Sequence, residues 1–360
     1  MSPRRLPLHD EHVRLGARMT ESGGWTLPLE YTGAFQEYRA HRRGAVVWDS
    51  SDLGSVRVEG PGAFALVQRT FTNDLRRAGP GRSQYTFVLS PADGGVVDDL
   101  IVWWVRDELF LLTPSRPDAV LDALRSVRAT GVGADCAVSD VSHDRVLLAV
   151  QGEEARARMA GLDPDAARLG PFRVRETRIE GAPGFIATTR FGGQTGFELH
   201  LPAAAARAVH RRLVGEGVAP AGLAMRETHR VEAGVPRHGR ELGPGITPLE
   251  AGCAAAVALD TDFTGRDALL AAHRTGNRRI LRSVLMGSRR PPSPGDAVLL
   301  ADEQVGTVTS GNYSPRHHRG LGLGFVCPDV PVGTGVTVRT PHGDLDGEVT
   351  TVPVARGAAR

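Results

Sequence analysis

The 360-residue chain is 41% apolar and 23% charged with a formal charge of +2, a composition that fits a globular protein with two or three cores and gives no basic footprint for nucleic acid. All 43 basic residues are arginine, which excludes Schiff-base and pyridoxal phosphate (PLP) chemistry and a Walker A loop, since each needs a lysine. The dispersed Cys136, Cys253 and Cys327 form no CxxC pair, no apolar leader follows Arg4 and Arg5, and no stretch has the length of a membrane span, so the expectation is a cytoplasmic protein without a metal site or membrane association.

Residues 1–50 read as helix and loop, with a turn at Gly23-Gly24 before Pro28. Val56 and Val58 alternate as a strand, and Pro61 then opens a helix whose apolar residues Phe64, Val67, Phe71 and Leu75 recur at helical spacing. A strand over Tyr85–Leu89 precedes Gly94-Gly95 and the run Val96-Val97-Asp98-Asp99-Leu100-Ile101-Val102-Trp103. Arg106-Asp107 turns into a strand over Leu109–Leu112, and Pro117 starts a helix that buries Val120, Leu121, Leu124 and Val127. Strands follow near 146–150, 185–188 and 197–201, then helices near 203–215 and 222–233. Thr264 and Asp267 form a capping-box pattern. Beyond the Arg, Pro and Ser-rich 288–294 stretch, short runs around Ala297, Val305, Leu321 and Val336 suggest a small β-barrel or sandwich.

Two adjacent carboxylates at the start of an apolar strand stand out. Strand alternation puts Asp99 on one face with Ile101 and Trp103, and Asp98 on the other with Leu100 and Val102. A carboxylate there is costly unless it is paired, hydrogen-bonded or set against a cation, so Asp99 is either a turn-amide acceptor or a functional group. Glu198 and His200 share a strand face, and Glu198 on these grounds is either a site carboxylate or a rim acid paired with arginine. Arg226 and Arg230, four residues apart, share a helix face that is either functional or solvated.

The ordered series of segments supplies more than any one of them. Trp48-Asp49-Ser50-Ser51-Asp52-Leu53-Gly54, Thr72-Asn73-Asp74-Leu75, the Gly94–Val102 strand, Thr195-Gly196-Phe197-Glu198-Leu199, Ala221–Thr228, Ile246-Thr247-Pro248-Leu249-Glu250-Ala251-Gly252 and Gly306–Pro315 together resemble the aminomethyltransferase, or T-protein, family of the glycine cleavage system. The resemblance spans nearly the whole chain. It implies an α+β fold of three domains in a cloverleaf around a central folate channel: residues 1–50 with 140–279, an inserted domain 51–139, and a C-terminal β-barrel 280–360. It also implies tetrahydrofolate as co-substrate, with Asp99 as the catalytic aspartate. Glu198 would hold the pterin, and Arg226, Tyr85, Leu53, Trp103, Phe191 and Arg356 would complete the folate site.

Ionised Glu198 suits the adjacent N3–H and 2-amino donors of a pterin, and an anionic Asp99 suits the positive charge on a one-carbon unit in transit. The chain departs from the family pattern at Asp52, where a histidine is usual, and at Phe191, where a tyrosine is usual. It also carries Pro114 in place of an asparagine and Val235 in place of a tyrosine. The resemblance implies a donor carried on a lipoyl protein (the H-protein). The departures keep open a folate-dependent demethylase or a methyl or hydroxymethyl transferase. A non-catalytic folate-binding protein is a further reading, although the Lys-Gly-Cys-Tyr segment of such relatives is missing from the sequence.

Overall fold

In the computed structural model, which describes residues 2–354, the chain opens with helices α1 (His9–Arg14) and α2 (Ala34–Arg43) and a three-stranded sheet. Its strands β1 (Arg4–Arg5), β2 (Arg18–Ser22) and β3 (Trp25–Glu30) lie in the order β1-β3-β2. Helix and loop were expected here. Gly23 and Gly24 both adopt positive φ, 57° and 79°, which closes a two-residue hairpin and pairs Ser22 with Trp25.

The chain divides into two units, one of residues up to 86, 98–226 and 261–263, the other of 87–97, 227–260 and 264 onward. A six-stranded sheet organises much of the first unit. It is made of β4 (Val46–Asp49), β10 (Arg145–Gln151), β11 (Val174–Ile179), β12 (Ala182–Thr189), β13 (Gly196–Pro202) and β14 (Ala219–Pro220), in the order β11-β12-β13-β10-β4-β14. One face presents Leu148, Val150, Phe197, Leu199 and Leu201 to helices α5 (Ala155–Leu162), α6 (Pro164–Ala167) and α7 (Ala203–Gly215), which add Met159, Ala166, Val209 and Leu213 to the core. Period-2 alternation therefore turns Glu198 and His200 to the opposite face.

A second sheet, in the order β6-β7-β8-β5-β9, contains β5 (Val56–Glu59), β6 (Arg82–Leu89), β7 (Val96–Arg106), β8 (Leu109–Pro114) and β9 (Ala137–Asp140). Helix α3 (Ala63–Thr70) stops short of the expected Leu75, because Phe71 is extended and Asp74 instead caps a short 3-10 turn by accepting the Arg76 N–H. Helix α4 (Pro117–Arg128) buries the four expected apolar residues.

The second unit holds most of helix α8 (Leu223–Ala233), helix α9 (Arg266–Arg274) and a closed barrel. Helix α9 does not use a Thr264–Asp267 capping box: its N-cap is Gly265, at φ 82° and with no side-chain cap. The barrel runs β15 (Ile280–Met286), β18 (Arg319–Val326), β17 (Glu303–Ser314), β16 (Ala297–Leu300), β19 (Gly335–Thr340) and β20 (Gly343–Thr350) around a core that includes Val284, Val298, Val308, Val338 and Val349. Closure leaves no unpaired sheet edge.

Candidate active site

The site is built from the N-terminal end of β7. In the turn before it, Asp93 accepts the Gly95 N–H at 3.0 Å, and its carboxyl is held below the ordinary range by the Ser90 hydroxyl and that amide. The turn amide thus goes to Asp93 rather than Asp99. Asp98 is fully buried and accepts the Arg116 N–H at the start of α4 at 2.8 Å. Burial pushes its carboxyl up to about 7, with the Arg116 amide opposing.

Asp99 accepts a 2.9 Å hydrogen bond from the Tyr85 hydroxyl through Oδ2. Its Oδ1 is buried and has no hydrogen-bond partner among the described residues. Burial raises the Asp99 carboxyl to about 6, against the Tyr85 hydroxyl, so the group is an anion at neutral pH. Ile101 and Trp103, on the same strand face, pack with Leu53, Leu147, Phe185 and Ala187. Ala187 is the register partner of Glu198, so both acids border one apolar cluster. Trp103, four residues further along the strand than Asp99, is 0% exposed and packs within this cluster.

On β13, the close approach of Gly196 to β10 leaves no room for a side chain, since a Cβ there would sit 1.9 Å from Gln151 Oε1. Two residues on, Glu198 accepts no hydrogen bond from the described residues. Burial pushes its carboxyl up to about 7, and only Arg226 opposes this. The neighbouring His200 contacts Ser55 Oγ through Nε2 at 2.8 Å and is driven by burial down to about 3. It is therefore a neutral core residue and not a proton-transfer partner of Glu198.

Arg226 of α8 is not on a solvated face. Its Nη1 lies 3.7 Å from Asp52 Oδ1 and 3.4 Å from the Asp49 carbonyl oxygen, and its guanidinium sits 5.9 Å from the Trp48 ring centroid. Phe191 meets Trp48 edge-on at 6.2 Å, so the position expected to carry a hydroxyl presents an apolar ring to the same tryptophan. Pro114 ends β8, and its carbonyl accepts the Gly54 N–H at 2.7 Å, which fixes the loop that carries Asp52 and Leu53. Arg230 lies within the second unit, bound to Glu227, Glu241 and Ser310 at 2.8, 3.2 and 2.7 Å. Arg356 lies outside the described residues. Sequence reasoning missed Trp48 and the helix-anchoring role of Asp98. Trp48 falls inside a recognised segment, yet no spacing rule links it to an arginine far downstream.

Among the described residues no group of three or more His, Cys, Asp or Glu could hold a metal ion, and no helix is long and apolar enough to cross a membrane. Residues 8–261 match the family model described as the GCVT N-terminal domain, and residues 278–354 match the glycine cleavage T-protein C-terminal barrel domain. Similar proteins include two named aminomethyltransferase. One, from Mycobacterium avium, is 38% identical over 97% of this chain and 95% of its own; the other, from Moorella thermoacetica, is 38% identical over 93% of each. The crystal structure of glycine cleavage system aminomethyltransferase T from Bartonella henselae matches 98% of both chains, with a TM-score of 0.89 and 29% identity.

Proposed function

Since this chain belongs to the glycine cleavage T-protein family, we propose that it is a tetrahydrofolate-dependent aminomethyltransferase whose donor is an aminomethyl group on a lipoyl-bearing protein. The observation that carries this reading is Asp99: a carboxylate held by Tyr85 through one oxygen, with its other oxygen buried and unpartnered among the described residues. An anion fixed in an apolar setting has little reorganisation left to do when positive charge develops beside it. Reduced folate, when bound, supplies the nucleophilic nitrogens that receive the one-carbon unit.

Glu198 fits the same ligand. It has no hydrogen-bond donor among the described residues, so both oxygens are available for the paired N–H donors of a pterin, and two such bonds favour its charged form. Arg226 supplies the compensating positive charge. Leu53 and Phe191 offer apolar surface, and Tyr85 orients Asp99 through a single hydrogen bond. The phenyl of Phe191 and the Pro114 backbone bring no hydroxyl or amide donor, which favours as a second reading a folate-dependent demethylase acting on a small methylated amine. Supplying each donor with tetrahydrofolate and following the folate product by mass separates the two.

The test of the catalytic assignment is Asp99→Ala. Its turnover with the productive donor should fall at least about 100-fold, the scale of losing one electrostatic stabiliser, while folate affinity stays within about threefold. Full activity in that variant removes Asp99 from the chemistry.

A further inference from the structure

Asp52 occupies an unusual position for an acid. The loop around it is pinned: Asp49 accepts the Ser51 N–H at 2.8 Å, and the Leu53 N–H donates to the Ser50 carbonyl at 3.0 Å. Asp52 Oδ1 is buried and has no hydrogen-bond donor among the described residues; what it does have is Arg226 Nη1 at 3.7 Å. Arg226 is thus the positive charge set against that buried oxygen. The guanidinium is constrained in turn by the Asp49 carbonyl and the face of Trp48.

We propose that Asp52 is a positioning residue that draws on the Arg226 charge and so sets how much of it reaches the Glu198 carboxylate. The groups around Glu198 leave this pair in control. Its cross-strand neighbours on β10 and β12 are the uncharged Ala149 and Ala187, and Ala149 also pairs with Trp48 on β4, so Glu198 shares its sheet face with the tryptophan that the Arg226 guanidinium sits against. On β4, the Asp49 carboxylate is engaged by His12 at 3.1 Å and by Ser51. Arg190, ahead of β13, is exposed and directed to the Gly193 carbonyl at 3.5 Å. With Asp52 charged, Arg226 is partly neutralised and offsets less of the rise that burial imposes on the Glu198 carboxyl. The consequence for folate rests on the reading of Glu198 given above; the coupling itself does not.

The experiment follows the Glu198 carboxyl by carbon-13 NMR in the folate-free, full-length protein, with the signal assigned by its loss in Glu198→Gln. In Asp52→Asn the freed Arg226 should favour the carboxylate and lower the titration midpoint by about one pH unit. Asp52→Ser should do the same, and Asp52→Glu should restore the wild-type midpoint. Thermal unfolding checks that each variant is folded, and with two neutral variants the test survives the loss of either. An unchanged midpoint in the neutral variants overturns the proposal. A midpoint that moves while Glu198→Gln leaves the folate dissociation constant unaltered supports the coupling and refutes only the folate role of Glu198.

Discussion

Glu198 carries a carboxyl that burial holds protonated up to about pH 7, although binding paired N–H donors requires it ionised. The proposed folate affinity should therefore rise with pH through about 7 in the wild type, because each step up in pH removes part of the work of deprotonation. In Glu198→Gln this dependence should vanish, and folate should bind about tenfold more weakly near pH 8, the scale of a lost charge-assisted pair, with the gap narrowing near pH 6. Calorimetric titration at the two pH values checks it. An equal deficit at both pH values would mean that the carboxylate is not the acceptor. At this scale the sequence was partly readable. Alternation alone assigns Asp99 and Glu198 their faces, since a strand's period of two is fixed by its backbone. It could not show that Trp103, on Asp99's own face, ends at zero exposure, nor that Arg226 reaches Asp49 and Asp52 from 177 and 174 positions away.

Among the elements, β7 joins two tasks on opposite faces. Asp99 faces the site, while Asp98 accepts the first free amide at the start of α4, a place where a helix leaves its N–H groups without internal partners. Asp98→Ala should destabilise the protein by about 1–3 kcal/mol by orphaning that buried amide, whereas Asp98→Asn, which keeps an acceptor and drops the buried charge, should match or exceed wild-type stability near pH 8. Denaturant unfolding of the two variants decides the matter, and equal losses in both would show that the charge itself anchors the helix. Helix α4 was legible because Pro117 and its apolar spacing agree. The hairpin of β2 and β3 was not read, since Arg18–Ser22 is polar and only the Gly23-Gly24 turn marks it. The Thr264–Asp267 pattern misled because Gly265 in the left-handed region moves the helix start past the threonine.

Across the whole molecule, the fold class was legible through the order of its segments and the change to short, glycine-punctuated strands near residue 280, where the barrel's first strand begins. Its acid groups fall into two sets with opposite pH behaviour. Glu11, held down to about 2 mainly by Arg14, and Asp74, lowered by Arg76, contribute stability above the ordinary carboxylate range that is lost as pH falls through their folded values. Asp98, Asp99 and Glu198, raised by burial to about 7, 6 and 7, do the reverse. Folding binds their protons more tightly than the unfolded chain does, so the stability they allow is complete below about pH 4 and is lost as pH rises towards 7. Thermal unfolding should therefore show a maximum near pH 5 and a decline towards pH 8, with each buried acid accounting for on the order of 1–3 kcal/mol. Asp99→Asn removes one of these groups without changing the side-chain volume, so its melting temperature should fall less between about pH 5 and 8 than that of the wild type, even as turnover collapses. A variant that loses as much stability as the wild type over that interval would show that Asp99 is ionised in the folded protein at no cost, and the strained anion required for its proposed role would be absent.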